Sequence, residues 1–305
     1  MFMSVHSAAR ARLWSAAGIV VLSLLWGYTW VLAKQALDFA PPLTMTFMRV
    51  LGGALALFLA LRLMRQPMSL PVARDVLLIS LCQVVCFMLL QTLSLNYGAA
   101  GKTAVLVYTM PIWTLFLAWP LLGERVRGGQ WLAVIGILIG LLLIIEPWHL
   151  QPDWFSNSLA IGAAIFWAMG TVLVKKLRRH TRVSLLALTA WSNLIGCIPL
   201  GVIAAIADEA PVRWAPEFLV ILSILSLIST AFCWWLWTSI LDRVPAWEAS
   251  LLVLGTPVIA IICSRVLLNE AFSTFEIAGI LLIGFGLCLL SIVSWLRERR
   301  LSSLV

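Results

Sequence analysis

The sequence predicts an all-α integral membrane protein in which ten transmembrane helices form an inverted repeat of two five-helix halves around a central cavity. Three observations lead to this fold class. Of the 305 residues, 62% are hydrophobic and 11% are charged, whereas a soluble domain is about half apolar and about a quarter charged. Ten segments reach the roughly 20 mainly apolar residues that a membrane-spanning helix needs. The second half of the chain also repeats motifs of the first half.

The apolar segments are continuous and lack the alternating polarity of membrane strands, as ILIGLLLII at 137–145 illustrates. The first segment is too long for a signal peptide and has no small-residue cleavage site, so we interpret it as an uncleaved helix. The predicted helices, named segments 1 to 10, are 13–34, 42–62, 74–94, 100–121, 130–147, 157–177, 184–206, 217–240, 246–267 and 275–296.

Basic residues concentrate at one end of these segments. With the N-terminus inside, sixteen of the 21 lysines and arginines fall on the inside, four fall on the outside, and Arg49 lies within segment 2. This bias follows the positive-inside rule and predicts cytoplasmic termini in a bacterial-type inner (plasma) membrane. The same rule accounts for the net charge of +8 without nucleic acid as a partner. The loop 175–182, KKLRRHTR, is either a topology determinant or a site for anionic lipid.

An internal repeat relates segments 1–5 to segments 6–10, which we define as residues 13–147 and 157–296. LLWGYTWVLAK at 24–34 aligns with IFWAMGTVLVK at 165–175, and YTMPIWTLFLAWPLLGE at 108–124 aligns with LGTPVIAIICSRVLLNE at 254–270. Because five is an odd number, the second copy enters the membrane upside down, as in many secondary transporters. The aligned pairs are Trp26 with Trp167, Lys34 with Lys175, Pro111 with Pro257, and Glu124 with Glu270. The glutamates end segments 4 and 9 and are expected to act as structural caps or anchors.

These motifs together resemble the EamA branch of the drug/metabolite transporter superfamily. The resemblance rests on WG followed by Lys34, on Pro41-Pro42 before segment 2 with Arg49 inside it, and on the LLGE and LLNE endings. It covers roughly residues 13–296, and within the branch the tryptophan-rich chain looks most like YddG-type aromatic amino acid exporters. The resemblance implies export, and a basket of segments 1–4 and 6–9 around a central cavity with segments 5 and 10 outside.

Polar side chains recur at helical spacing on several segments. Hydroxyl and amide groups facing hydrocarbon lack partners, so these stripes predict a wet cavity, although hydrogen bonds between helices explain part of them. Trp26 and Trp167 should lie close together, and such rings pack the core, stack an aromatic cargo and hydrogen-bond its polar end, or hold a cationic amine over a ring face. The predicted substrate-binding residues are Trp26, Trp30, Gln83, Gln91, Tyr108, Trp113, Trp167, Asn193, Trp234 and Trp237.

Two prolines, Pro111 and Pro257, lie in the middle of segments 4 and 9. Each removes a backbone donor and frees the carbonyl four residues earlier, at Val107 and Val253. Their equivalent positions predict either a pair of hinges or a pair of static kinks that shape the basket.

Charged residues inside the segments are few. Arg49 is the deepest, and its partner is either a substrate carboxylate or a group within the bundle. All thirteen acidic residues lie at or beyond segment ends, and no GxxxxGK[ST] phosphate loop occurs. These features predict a facilitator without ion coupling. Glu248, or Lys102 together with Asp38, is the alternative carrier of a proton, so Arg49 and Lys102 are the charged candidates.

The predicted function is export of small metabolites, with aromatic amino acids as cargo, by alternating access. The same fold carrying other amino acids, drugs or vitamins, with or without a proton, is one alternative, and a non-transporting scaffold is another. No enzyme activity is expected, because no Ser/His, paired-Asp or His/Glu arrangement lies within the segments. The six cysteines and three histidines offer no metal or haem site, so no cofactor is expected.

Segment 5 contains a GxxxG motif at Gly136 and Gly140, which lets another helix approach closely. That helix belongs either to the same chain or to a second copy. We therefore expect a monomer, or else a homodimer through segments 5 and 10, with the bilayer and an amino acid-like small molecule as the other partners.

Overall fold

The computed structural model describes residues 5–70, 72–98, 100–145, 154–268 and 273–302. Within these ranges the chain is helical with short connections and contains no strand. Seven helical stretches are long and apolar enough to cross a membrane: Trp14–Ala36, Pro42–Leu63, Ala73–Tyr97, Thr103–Leu122, Trp154–His180, Leu185–Ile206 and Pro216–Leu241. The other three predicted segments correspond to shorter apolar helices at Gln130–Ile144, Ala246–Ala260 and Ile277–Leu290. The count of ten spans therefore stays a prediction.

Several of the long stretches are built from more than one helix. Two π-helical segments, Ser80–Cys86 and Ile224–Phe232, join α3 to α4 and α10 to α11. The α-helices are α1 Val5–Ala36, α2 Pro42–Leu63, α3 Ala73–Ile79, α4 Phe87–Tyr97, α5 Ala100–Val107, α6 Met110–Leu122, α7 Gln130–Ile145, α8 Trp154–His180, α9 Leu185–Ile206, α10 Pro216–Ser223, α11 Cys233–Leu241, α12 Ala246–Leu252, α13 Gly255–Leu268 and α14 Thr274–Ser302.

Local chemistry explains where α2 and α6 begin or end. Pro42 opens α2, where its missing N–H is not needed. The Glu209 carboxylate accepts hydrogen bonds from the backbone N–H of Leu43, at 2.9 Å, and of Thr44, at 2.8 Å. This arrangement satisfies two orphan donors and places a negative charge at the positive end of the helix dipole. At the end of α6, Gly123 adopts the left-handed conformation, with φ 65°, which favours glycine.

Segments 4 and 9 are each interrupted where the prolines predicted a distortion. The helix breaks after Val107 and resumes at Met110, and it breaks again after Leu252 and resumes at Gly255. Pro111 and Pro257 thus lie in the first turns of α6 and α13, where no backbone donor is required. Each interruption is a two-residue turn, in which Thr109 and Val253 keep right-handed helical backbone angles. Whether they act as hinges stays a prediction.

Equivalent lysines make equivalent contacts in the two halves. Lys34 Nζ donates to the carbonyls of Leu95, at 2.7 Å, and Gly98, at 3.1 Å, at the end of α4. Lys175 Nζ donates to the carbonyls of Leu241 and Val244, at 2.5 and 2.7 Å, at the end of α11. A cation is favoured at the negative end of a helix dipole. Each acceptor in the second half lies 146 residues beyond its counterpart, so the contacts follow the alignment of the repeat.

Helices α7 and α14 pack against each other more extensively than any other described pair. An added Cβ at Gly140 would lie 2.9 Å from the Gly279 carbonyl oxygen, and one at Gly279 would lie 2.6 Å from the Gly140 carbonyl oxygen. Only glycine permits this approach. Gly140 of the GxxxG motif is therefore used within the chain, whereas a Cβ at Gly136 would meet only Leu282 Cδ1, at 4.0 Å. A homodimer along these helices stays a prediction.

The structure describes one of the two glutamates that the repeat aligns, Glu124. Glu124 binds Arg179 Nη2 at 2.8 Å and accepts the N–H of Ala246, the first residue of α12, at 2.7 Å. It therefore acts as the structural cap that the sequence predicted. Glu270 lies outside the described residues.

Candidate functional site

A tryptophan cluster occupies the middle of the bundle, and we define it as Trp26, Trp167, Trp234 and Trp237. The ring centroids of Trp26 and Trp167 are 5.5 Å apart at an interplanar angle of 83°, which confirms the proximity predicted from the repeat. Trp26 is also 5.5 Å from Trp234 and 6.2 Å from Trp237. Edge-to-face pairs of this kind contribute roughly 0.5–1.5 kcal/mol each beyond area burial. The cluster therefore joins α1, α8 and α11 at one point.

A small cavity opens beside this cluster. The volume open to the centre of a water-sized sphere is ≈ 30 Å³, room for about two waters. Aromatic rings form much of its wall, together with one cation, one amide and three side chains that carry a hydroxyl group, one of them a tyrosine. The lining residues are Trp26, Thr29, Trp30, Ala33, Arg49, Phe87, Met88, Gln91, Tyr108, Trp167, Ser229 and Trp234.

Hydrogen bonds fix the part of the wall between α1 and the second π segment. Trp26 Nε1 donates to the backbone carbonyl of Ser229 at 3.2 Å. The Ser229 hydroxyl donates to Thr29 Oγ1 at 3.3 Å, and Thr29 Oγ1 donates to the Trp26 carbonyl at 3.0 Å. These three bonds hold the Trp26 ring against the cavity.

Arg49 is 5% exposed and lines the cavity. Its Nε donates to Thr230 Oγ1 at 3.3 Å and its Nη2 donates to Ser229 Oγ at 3.2 Å. Both acceptors are neutral, and in the described ranges Arg49 has no ion pair. None of the lining residues is acidic. Guanidinium stays protonated in proteins, and a buried charge is costly without a partner of opposite sign. The cavity therefore carries one uncompensated positive charge.

Six of the ten predicted substrate-binding residues line this cavity, and four do not. Trp237 packs behind the wall, 5.8 Å from Trp167 between ring centroids. Asn193 is buried and its Nδ2 donates to the Thr189 carbonyl at 2.9 Å. Gln83 is also buried within the bundle, whereas Trp113 is half-buried. Each of the four has one buried polar atom without a hydrogen-bond partner in the described structure: Gln83 Nε2, Trp113 Nε1, Asn193 Oδ1 and Trp237 Nε1. The role of each in binding stays a prediction. The backbone of Lys102, the second charged candidate, lies in α5, and its side chain is outside what the structure describes.

Sequence reasoning missed Thr29 and Ser229. In segment 8 an α-helical period selects Ser226 and Thr230, yet these two pack against the glycines of α2. An added Cβ at Gly52 would lie 2.7 Å from Ser226 Oγ, and one at Gly53 would lie 2.5 Å from Thr230 Cγ2. The π segment holds more residues per turn than an α-helix, so the stripe is displaced and Ser229 faces the cavity. No pattern of side chains reveals such a turn.

Known proteins resemble the chain over most of its length. It is 30% identical to the uncharacterized transporter YoaV of Bacillus subtilis (strain 168), over 88% of this chain and 94% of that protein. It is 28% identical to a probable amino-acid metabolite efflux pump of Escherichia coli (strain K12), over 88% and 91%. One solved crystal structure shares the fold, with a TM-score of 0.77 over 94% of this chain and 98% of that one at 17% identity.

A riboflavin transporter of Vibrio cholerae matches a shorter stretch, 35% identical over 31% of this chain and 37% of that protein. The model of the EamA-like transporter family matches residues 13–146 and matches again at 154–292. The two matches together cover most of the sequence, so this chain belongs to the EamA-like transporter family.

Proposed function

We propose that this transporter exports small metabolites across a bacterial inner membrane, with aromatic amino acids as cargo, by alternating access and without ion coupling. One observation carries the cargo class: a central cavity has tryptophan and tyrosine walls and a single buried cation. The relative in Escherichia coli named as an amino-acid metabolite efflux pump supports the export of amino acid-like compounds.

The aromatic walls suit an indole or phenyl ring. Trp30 and Tyr108 lie 6.2 Å apart between centroids, and Tyr108 lies 5.5 Å from Trp167. A ring that inserts among these side chains gains apolar burial and edge-to-face contact. Arg49 supplies donors for the carboxylate at the other end of the cargo.

The compactness of the cavity supports alternating access. About 30 Å³ of free space is far below the several hundred Å³ of a typical small-molecule site. Cargo therefore enters only when the tryptophan cluster separates. The helix breaks beside Pro111 and Pro257 are the points where α6 and α13 can change direction relative to α5 and α12. The equivalent contacts of Lys34 and Lys175 support an inverted repeat, 13–147 and 157–296, as the basis of two related states.

The absence of an acidic residue from the cavity wall supports uncoupled transport. Proton-driven carriers usually place an ionisable group, often a carboxylate, within the membrane. None of the residues lining the cavity carries one, and Glu248 lies in the first turn of α12. We therefore propose that the cargo gradient alone drives the cycle, from cytoplasmic to outer side.

Uptake into liposomes that contain the purified protein tests this proposal. Labelled tryptophan, phenylalanine, threonine and a sugar phosphate are each presented without an ion gradient and then with a proton gradient. We expect saturable uptake of the two aromatic amino acids in both conditions. Trp26→Phe keeps a ring but removes the N–H that Ser229 accepts, and should weaken that uptake several-fold. Trp131→Phe, which changes a half-exposed ring on α7, is the matched control and should have no effect.

Three other outcomes decide between the alternatives. Uptake only in the presence of a proton gradient would contradict uncoupled transport and direct attention to Glu248. Uptake of threonine or the sugar phosphate in place of the aromatic compounds would contradict the cargo class. Folded protein that moves none of the four compounds, and whose Trp26→Phe variant loses only thermal stability, would favour a scaffold.

A further inference from the structure

We infer that the cavity recognises its cargo through the carboxylate and does not require the amino group, so that the substrate class is aromatic monocarboxylates and not amino acids alone. This inference rests on the proposed function and makes it more specific. It follows from the charges and hydrogen-bond donors around the cavity.

The first argument is the charge of Arg49. The guanidinium is buried, lines the cavity and has two hydrogen bonds, both to hydroxyl groups and both longer than 3.1 Å. A carboxylate can bind such a group through two parallel, charge-assisted hydrogen bonds. The same charge repels an ammonium that enters without a carboxylate.

The second argument is the lack of an anionic partner for an ammonium group. The cavity wall contains no aspartate or glutamate. Its unpartnered acceptor is Gln91 Oε1, a neutral amide oxygen. A neutral oxygen accepts a hydrogen bond from an alcohol as readily as from an amine, whereas a site that selects amines pairs them with a carboxylate. A hydroxyl at the α-carbon can therefore replace the amino group.

The third argument concerns the cluster itself. Trp167 lines the cavity, and its buried Nε1 has no hydrogen-bond partner in the described structure. Indole N–H groups donate and never accept, so this group favours an acceptor oxygen on the cargo. Aromatic ring faces also attract cations, but Arg49 is the charged side chain among the lining residues, and its charge is positive. Arg49 and Trp167 together make this part of the wall complementary to a carboxylate.

The substrate class has a consequence for energy supply. Tryptophan is a zwitterion, but its α-hydroxy analogue indole-3-lactate carries one net negative charge. Uniport of the analogue therefore moves charge, and an inside-negative potential favours its export by about fiftyfold per 100 mV at equilibrium. Tryptophan export gains nothing from the same potential. The carrier can thus expel acids without coupling to an ion.

Counterflow in proteoliposomes tests the inference. Vesicles preloaded with unlabelled tryptophan take up labelled tryptophan, and indole-3-lactate and tryptamine are added outside as competitors. We expect indole-3-lactate to compete within about threefold of tryptophan. Tryptamine lacks the carboxylate and should be about ten- to hundredfold weaker, which corresponds to the loss of a charge-assisted hydrogen bond. Labelled indole-3-lactate should exchange by itself, and its net efflux should respond to a potassium–valinomycin potential.

Variants of one helix provide the controls. Arg49→Gln should reduce the difference between indole-3-lactate and tryptamine to a few-fold, and Arg49→Lys should retain part of it. Arg62→Gln makes the same change on the same helix at an exposed position and should leave the difference intact. If Arg49→Gln does not fold, Arg49→Lys and the competitor series on the wild-type protein still decide the question.

The outcomes separate this inference from the proposed function. Tryptophan exchange with no competition from indole-3-lactate, or with tryptamine as an equal competitor, would overturn the inference and leave the proposed function standing. Exchange of indole-3-lactate without tryptophan would support the inference and contradict amino acids as cargo. Exchange of neither acid by folded protein would contradict both.

Discussion

Replacing one glycine of the α7–α14 contact by alanine should destabilise the protein, while replacing its neighbour should not. An added Cβ at Gly140 would lie 2.8 Å from Ile283 Cγ1, 2.9 Å from the Gly279 carbonyl oxygen and 3.0 Å from the Ile283 nitrogen. Two of these atoms belong to the backbone, so the helices must separate. Overpacking of this kind costs roughly 1–3 kcal/mol. At Gly136 the nearest atom would be Leu282 Cδ1 at 4.0 Å, an ordinary contact.

Gly136→Ala should instead stabilise the fold by roughly 0.5–1 kcal/mol, because alanine loses less backbone entropy than glycine in a helix. The two variants should therefore differ by about 2–4 kcal/mol, or roughly 5–15 °C in midpoint at about 2–4 °C per kcal/mol. Thermal unfolding in detergent, followed by a thiol-reactive dye that reports exposure of the buried cysteines Cys82, Cys197 and Cys233, measures the difference. Equal midpoints, or a lower midpoint for Gly136→Ala, would refute the packing argument. Gly279→Ala should behave like Gly140→Ala.

Three further predictions concern the ends of the helices. Lys175→Met should lower thermal stability by roughly 1–3 kcal/mol, because two carbonyls lose their donor, while the exposed Lys176→Met should have no effect in the same thermal assay. Glu124→Gln should lower the unfolding midpoint, since it removes the charge-assisted bond with Arg179. An unchanged midpoint would mean that this ion pair adds no stability and that Glu124 acts only by accepting the N–H of Ala246. Arg178 donates to Asp242 at 2.7 Å, and this hydrogen bond holds the pKa of that carboxyl below its usual range. The stabilisation is present above the ordinary pKa of about 4 and is lost as the pH falls through the lowered value. Acid unfolding curves of Asp242→Asn should therefore lack this small contribution, and curves identical to the wild type would contradict it.

Hydropathy predicted where most of the helices lie. Pro42 opens a helix at the predicted start of segment 2, because its first turn needs no donor there. Gly123, which ends α6 with a positive φ, lies two residues beyond the predicted end of segment 4. The aligned prolines predicted where segments 4 and 9 are disturbed, since a missing N–H leaves an unpaired carbonyl whatever surrounds it. All of these effects act within one turn of the residue that causes them, so they can be read from the chain alone.

The cavity wall was only partly predictable. Trp26, Trp167 and Gln91 were identified because a polar or aromatic group in an apolar helix needs a partner. Ser229 was missed, because its direction depends on a π turn, which an α-helical period applied to the sequence does not include. Gln83 shows the opposite case. It has the right chemistry and helix, but the structure encloses it in the bundle beside Gly170 and not on the wall. Long-range packing decides such cases, and local spacing does not record it.

The two π turns suggest what an insertion or deletion would do to this protein. Removing one residue within Ser80–Cys86 would let the wide turn close to α geometry, and α3 and α4 would stay nearly in phase because the wide turn had absorbed the extra residue. Gln91 would then keep its place on the wall. A residue removed from the purely α part of the same span would instead rotate everything beyond it by about 100° and carry Gln91 away from the cavity. The same reasoning applies to Ile224–Phe232 and Trp234. The two wide turns are thus places where the chain tolerates a change of length without a change of cargo, and length differences within a lineage should collect there.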